Sequence, residues 1–388
     1  MTPGMILTLN AGSSSLKFAV YEPGQALGEV ARGQVASIGT AAAELTLAAG
    51  GQKQRQAIGR ADHEAALRAI LAQLSPLLGG RAIGGVGHRI VHGGTEHAAP
   101  ALLTPGVMAY LDTLAPLAPL HQPHNLAAVR AAMAAFPASV QVGCFDTGFH
   151  RGHPWVNDTF ALPRRYYDRG VRRYGFHGLS YDHVSHELAR TRPELAAGRV
   201  IIAHLGNGAS MCALREGRSI GSTMGFSALD GLPMGTRCGQ LDPGVVLWLM
   251  QSEGMGAAQI ENLLYRESGL KGLSGLSHDM RRLEAAGTPE AAEAIDYFVF
   301  RTRREIGAMA AILGGLDALV FCGGIGENSV TIRARLCEGM DWLGLTLDGA
   351  ANAAGAAEIG HGSVRVLVIP TDEERVIARA VNAALQAA

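Results

Sequence analysis

Two stretches of this chain repeat one plan. Residues 5–20 run Ile6-Leu7-Thr8-Leu9, then the polar turn Asn10-Ala11-Gly12-Ser13-Ser14-Ser15, then Leu16-Lys17-Phe18-Ala19-Val20. Residues 201–214 run Ile201-Ile202-Ala203-His204-Leu205, then Gly206-Asn207-Gly208, then Ala209-Ser210-Met211-Cys212-Ala213-Leu214. Apolar runs on either side of a Gly/Asn/Ser turn are the signature of a β-hairpin. Gly12 aligns on Gly208, so each half of the chain opens with the same unit. A repeat of this kind favours two similar α/β halves; a chance likeness of two hairpins is the alternative. The length of 388 residues suits two or three domains.

Composition narrows the class. Hydrophobic residues make up 48% and charged residues 17%, which excludes a disordered, solvating chain. The net charge of -1 argues against a nucleic-acid partner, which calls for a basic face. No apolar run reaches the length of a membrane span, and residues 1–10 lack the pattern of a secretory signal. The five cysteines are scattered without a CxxC pair, so reduced thiols in a cytoplasmic protein are expected.

Several polar constellations sit where apolar strands end. Asn10-x-Gly12-Ser13-Ser14-Ser15-x-Lys17 offers backbone amides, hydroxyls and one cation, a set suited to a phosphate chain; an ordinary hairpin turn is the alternative. The loop His204-Leu205-Gly206-Asn207-Gly208 offers similar donors, although Asn-Gly is also a common tight turn. Gly323-Gly324-Ile325-Gly326-Glu327-Asn328 reads as a Gly-rich turn between a strand and a helix, without the spacing of a dinucleotide fingerprint. Arg89, Asp146, Arg237 and Glu373 are charges in strand-end loops. Phosphoryl transfer needs such groups for positioning and for charge on the transferring phosphoryl; salt bridges or caps are the plain alternative. Thr371-x-x-Glu374 reads as a capping box for the last helix, which gives Glu374 a structural task and leaves Glu373 without one. His177 and His121 stand out among fourteen histidines as hydrogen-bonding groups. No helical zinc pair or G-x-S-x-G elbow occurs.

Taken together, the ordered segments resemble the acetate kinase family. They are Leu9–Phe18, His88–Gly94, Ala118–Asn125, Phe145–Thr147, Arg173–Gly178, His204–Gly208, Met234–Arg237, Gly324–Asn328 and Pro370–Glu374. The resemblance implies an α/β fold of two duplicated actin-like, sugar-kinase-type ATPase domains around a nucleotide cleft. One domain would comprise residues 1–147 plus 374–388, completed by the C-terminal helix; the other, 148–373, would carry most of the ATP site. It also implies a homodimer that makes acetyl phosphate and ADP reversibly from acetate and ATP with Mg2+, for which Mn2+ could substitute.

Carried onto this sequence, the family pattern places Asn10 and Glu373 at the metal and Asp146 as the essential acid. Lys17, His204, Leu205, Gly206, Asn207, Gly208, Asp279, Met280, Arg281, Gly324, Ile325, Gly326, Glu327 and Asn328 would hold ATP. Arg89 and Arg237 would bind the carboxylate and the transferring phosphoryl, with His177 stabilising the transition state. Val91, Leu120, Phe176 and Pro233 would wall the methyl group. Direct in-line attack is the favoured mechanism: a carboxylate is already deprotonated, so Asp146 orients the metal or substrate rather than removing a proton. The sequence departs from the family at Leu179-Ser180-Tyr181, where Thr-Ser-His is usual, at Gln240, where an acidic residue is often found, and at Asp372, where Asn is common. Rival readings are a propionate or other short-chain carboxylate kinase, and a non-catalytic actin-like ATP-binding scaffold.

Overall fold

The computed structural model describes residues 4–12, 14–119 and 121–387. The sequence-derived roles of Ser13 and Leu120 therefore lie outside the described residues. The chain forms two compact units, residues 1–149 with 372–388 and residues 150–371.

The first unit is built on β1 (Met5–Ala11), β2 (Leu16–Tyr21), β3 (Glu29–Ala36), β4 (Glu44–Ala49), β5 (Gln52–Ala57), β6 (Ile83–Ile90), β7 (Ala101–Leu102) and β8 (Val140–Phe145). Their order in the sheet is β5-β4-β3-β2-β1-β6-β8-β7. Strand β1 is buried along its whole length, as a central strand covered on both faces must be. It pairs antiparallel with β2, Leu9 opposite Phe18, and parallel with β6. The helix His63–Leu78 starts at Asp62, whose side chain accepts from Ala65 N, and buries Ala66, Leu67, Ile70 and Leu74. That one-sided spacing is an amphipathic stripe, and it packs with Leu7, Leu9, Phe18 and Val86 in one core. The closing helix Glu373–Ala387 lies on this sheet. It approaches β6 so closely that a Cβ on Gly87 would stand 2.3 Å from Ile377 Cγ2.

The second unit carries β9 (Arg199–Leu205), β10 (Ala209–Arg215), β11 (Arg218–Ser222), β12 (Ala318–Cys322) and β13 (Arg365–Val368), in the order β11-β10-β9-β12-β13. Strands β9 and β10 form the second hairpin, with Ser210 opposite His204. The long helix Pro289–Leu313 is capped by Thr288 and ends at Gly314 in the left-handed region. It buries Ile295, Phe298, Thr302, Ile306 and Met309 along one face.

The two sheets share one topology. In each, an antiparallel three-strand meander is followed by two parallel strands on the far side of its first strand: β3-β2-β1-β6-β8 and β11-β10-β9-β12-β13. The hairpin echo in the sequence is thus the opening of a repeated sheet, and the α/β class with two like sheets is the one expected.

Two local expectations need correction. The Gly323–Asn328 segment is not a turn before a helix but is itself helical. Thr371 does not cap the last helix: its Oγ1 is buried without a hydrogen bond, and Asp372 Oδ1 accepts from Arg375 N at 3.1 Å instead.

Candidate active site

In open α/β sheets, ligands bind beyond the carboxyl ends of the parallel strands. Both units place their chemistry there. In the first, Asn10 lies near the end of β1, Arg89 near the end of β6 and Asp146 just past β8, while Glu373 opens the last helix. Asp146 is 1% exposed and Arg89 16%. Arg89 donates to Asp146 through Nη2 at 2.6 Å and through Nε at 3.1 Å to each carboxylate oxygen. Its Nη1 donates to Asn10 Oδ1 at 3.2 Å, and Asn10 Nδ2 donates to Glu373 Oε2 at 2.9 Å. Burial pulls the Arg89 guanidinium down, but Asp146 and then Glu373 carry it above its ordinary value.

Asn10 Nδ2 also lies 3.5 Å from Glu374 Oε1. Burial, then the neighbouring Glu373 charge, raise the Glu374 carboxyl, while Lys17 pulls it the other way. Glu374 therefore belongs to this cluster, contrary to the capping task expected of it. Lys17 sits on β2 within the first unit, whereas the other residues expected to hold ATP lie in the second.

The loop after β6 is fixed by the helix Gln122–Ala135. Asn125 Oδ1 accepts from Val91 N at 2.9 Å, and its Nδ2 donates to Ala11 O at 2.6 Å. Gln122 exchanges hydrogen bonds with the backbone of His92. The segment Ala118–Asn125 thus anchors the loop holding Val91, which is buried. His88, at the β6 edge, is buried with Nε2 2.8 Å from Gln141 Oε1, and burial pushes it down to about 4.

In the second unit a cavity of about 650 Å³ opens beyond β9 and β12. Gly206, Asn207, Asp279, Met280, Arg281, Gly324, Ile325 and Asn328, eight of the residues to which the resemblance gave ATP binding, line it together. His278, Glu284 and Ser329 line it as well. Their nearness in sequence to Asp279–Arg281 and Asn328 was the available signal.

The remaining loop residues support this wall rather than form it. Leu205 is fully buried. Glu327 turns inward: its Oε1 accepts from Gly323 N at 2.9 Å and from Thr371 N at 3.1 Å. Arg333, 1% exposed, donates to the carbonyls of Gly326 and Glu327 at 2.9 and 2.8 Å. These contacts bind both ends of a short helix that its glycines disfavour. Arg333 lies outside every motif, and no local pattern marks it.

Other pieces converge on the same loop. Gly235 N donates to Asn207 O at 2.9 Å, and a Cβ on Gly235 would collide with Asn207 Oδ1 at 2.1 Å. A side chain there would have to push Asn207 aside, and the glycine's approach brings the Met234–Arg237 segment to the hairpin turn. Arg237 Nη1 donates to Ala228 O at 3.1 Å. His177 precedes the helix Gly178–Thr191 with φ of 58°, and its Nε2 side faces Gly208. Its ring stacks on His204 at 4.3 Å. Phe176 and Pro233 are buried in this unit, and Val91 in the first.

A repeated α/β sheet, with a charged cluster beyond the parallel strands of one unit and a cavity edged by Gly206 and Gly324 beyond those of the other, fits a phosphotransferase. The chain belongs to the acetokinase family, whose model matches residues 5–379. It is 56% identical to the acetate kinase of Methylocella silvestris, over 96% of each chain. Among solved structures, that of Porphyromonas gingivalis acetate kinase matches with a TM-score of 0.88 at 38% identity, covering 98% of this chain and 100% of the other. A propionate kinase from Francisella tularensis subsp. tularensis matches with a TM-score of 0.91 at 33% identity, over 97% and 98% of the two chains.

Proposed function

We propose that this enzyme transfers the γ-phosphoryl of ATP reversibly to acetate, giving acetyl phosphate and ADP. A carboxylate oxygen attacks the γ-phosphorus in line. The new O–P bond forms as the bond to the bridging oxygen breaks, and that oxygen leaves with the electron pair as ADP. Acetate is already ionised at neutral pH, so no proton needs removing. The buried Arg89–Asp146 pair carries this reading: an ATP-binding scaffold has no use for a fixed guanidinium beyond a strand end.

In this reading Arg89 orients the carboxylate, and Asp146 fixes the fork of Arg89. Arg237 and His177 act on the transferring phosphoryl, and Lys17 on the phosphate chain. Val91, Leu120, Phe176 and Pro233 keep the methyl-group role that the family resemblance implies for them. The cavity of the second unit takes the nucleotide through Gly206, Asn207, Asp279–Arg281, Gly324, Ile325 and Asn328, with His204, Leu205, Gly208, Gly326 and Glu327 supporting its wall.

The oxygens of Asn10, Glu373 and Asp146 are hard donors, the kind Mg2+ prefers. Among the described residues no three His, Cys, Asp or Glu form a metal cage. That suits an ion held by one or two carboxylates and by substrate phosphates. Asn10 and Glu373 would hold Mg2+, or Mn2+ in its place, and the ion would neutralise phosphate charge. The same reading takes the protein as a cytoplasmic homodimer. Among the described residues no helix is long and apolar enough to cross a membrane.

Hydroxylamine trapping tests the activity. With Mg-ATP, hydroxamate should form best with acetate, less with propionate and butyrate, and not with glycerol. Arg237→Ala should lower the rate about a hundredfold or more, as loss of one group aimed at developing charge does. Best turnover of propionate would change the substrate and keep the mechanism, an outcome that likeness to a propionate kinase makes worth testing. No hydroxamate from any acid, with nucleotide still bound, would overturn the reading.

A further inference from the structure

The helix that follows His177 opens with Gly178-Leu179-Ser180-Tyr181. Ser180 reaches one of the stacked histidines directly, and Tyr181 reaches the other through Ser210. Ser180 Oγ lies 2.7 Å from His204 Nδ1. Tyr181, one helical turn beyond His177 and fully buried, places its hydroxyl 2.5 Å from Ser210 Oγ. Ser210, also fully buried, lies 2.8 Å from His177 Nδ1. A phenol, a hydroxyl and an imidazole thus form one buried chain inside the second unit.

We propose that Tyr181 is a positioning residue that sets the tautomer of His177 through Ser210, so that the ring carries its proton on Nε2. The inference rests on His177 acting at the transferring phosphoryl, but the tautomer itself does not depend on that role. The argument is one of counting protons. Ser210 has a single hydroxyl proton and two close partners. Burial holds the Tyr181 phenol well above its ordinary pKa, so it keeps its proton and has one to give to Ser210; the proposed arrangement takes it as the donor. Ser210 accepts from Tyr181 and gives its own proton to the other neighbour, His177 Nδ1. A neutral imidazole whose Nδ1 accepts bears its proton on Nε2.

The surroundings keep the ring in that state. The stack on His204 restrains rotation, with the rings 24° from parallel. Ser210 is itself placed by the hairpin, opposite His204 in the β9–β10 register. The Nε2 edge lies toward Gly208 of the hairpin turn, where a Cβ would stand 3.1 Å from it. The result is an N–H donor directed to the loop side, which suits stabilising negative charge on a transferring phosphoryl. Tyr181 touches no reacting atom in this scheme; it acts only through Ser210.

The test uses the full-length protein labelled with 15N-histidine. Long-range 1H–15N correlation reads the tautomer, and the His177 ring is assigned by its absence from the His177→Asn spectrum. We expect Nε2–H in the wild type and a loss of that fixed tautomer in Tyr181→Phe. Kinetics on folded variants gives a second readout. Tyr181→Phe should lower kcat about tenfold, the scale of one lost hydrogen bond, with KM for ATP and acetate within about twofold. The Tyr181→Phe/Ser210→Ala double variant should be no slower than Ser210→Ala alone, because contacts in one chain are not additive. A proton on Nδ1 in the wild type, an unchanged tautomer in Tyr181→Phe, or effects that multiply in the double variant would overturn the proposal. Absence of acyl phosphate in the wild type would instead overturn the proposed reaction, and the tautomer would still be readable.

Discussion

The two units place their chemistry at the same point of the same topology and build it differently. Beyond β1, β6 and β8 stand four side chains, Arg89, Asp146, Asn10 and Glu373, joined to one another by hydrogen bonds. Beyond β9 and β12 lies a cavity of about 650 Å³, edged by Gly206 and Gly324 and by side chains such as Asn207, His278, Asp279 and Glu284. In the proposed reading the first site takes a small carboxylate, which calls for fixed charge, and the second takes a nucleotide, which calls for room. The charged site is costly to disturb, because removing one partner leaves the other charge buried. Beside the second site, Gly235 is a position where a single added carbon would displace Asn207.

The largest effect should come from Arg89→Met. It leaves Asp146 buried without its guanidinium partner, which should cost about 3–5 kcal/mol of stability. Acyl-phosphate formation should fall by about a thousandfold or more if, as proposed, this cation orients the carboxylate. Thermal unfolding and hydroxamate assays read the two losses. A variant of full activity would break the contrast at its charged end.

Next comes Gly235→Ala. The new Cβ must displace the Asn207 side chain, which stands 2.1 Å from its position. KM for ATP should rise about tenfold, the scale of a displaced hydrogen-bonding group, while KM for acetate stays within about twofold. Equal changes in both constants would show that the two sites are not separable.

Buried neutral histidines give a pH signature in each unit. Burial holds His88 at about 4 in the first unit. Burial likewise holds His150 at about 4 in the second, despite its contact with the Phe176 carbonyl. The unfolded chain has ordinary histidines near 6.5. As pH falls from about 6.5 to about 4 the unfolded state therefore binds more protons, and stability drops. Above 6.5 the contribution is fully present. Denaturant midpoints measured from pH 7.5 to 4.5 should fall, and His88→Gln should flatten part of that slope. A midpoint independent of pH over this window would contradict the burial described.

Arg281→Ala should do least. The guanidinium is 86% exposed and pairs with Asp279, two residues away. An exposed, solvent-screened pair of this kind contributes little, so KM for ATP should change by about twofold or less. A larger rise would show that the Arg281 side chain, and not its backbone alone, contacts the nucleotide.

The sequence showed where the strands end, and so where charge and glycine collect. Leu9 opposite Phe18 and Ser210 opposite His204 follow from apolar runs on either side of a short turn. It did not show which strand-end groups hold one another. Asn10 meets Glu373 across 363 residues, and Arg89 meets Asp146 across 57. The start of the last helix was misread because Thr371 and Asp372 are both good caps, and only packing decides that Asp372 is used. The Gly323–Asn328 helix was misread for a similar reason. Its glycines favour a turn, and the groups that override them, Arg333 and the inward-turned Glu327, act through tertiary contacts.

The most direct test of the contrast is calorimetric titration of ADP, without metal, into wild type and Arg89→Lys. That substitution keeps a cation beside Asp146 and removes the planar fork. If nucleotide affinity resides in the cavity of the second unit, Kd should agree within about threefold while hydroxamate formation collapses. A Kd weakened tenfold or more in Arg89→Lys would contradict the account.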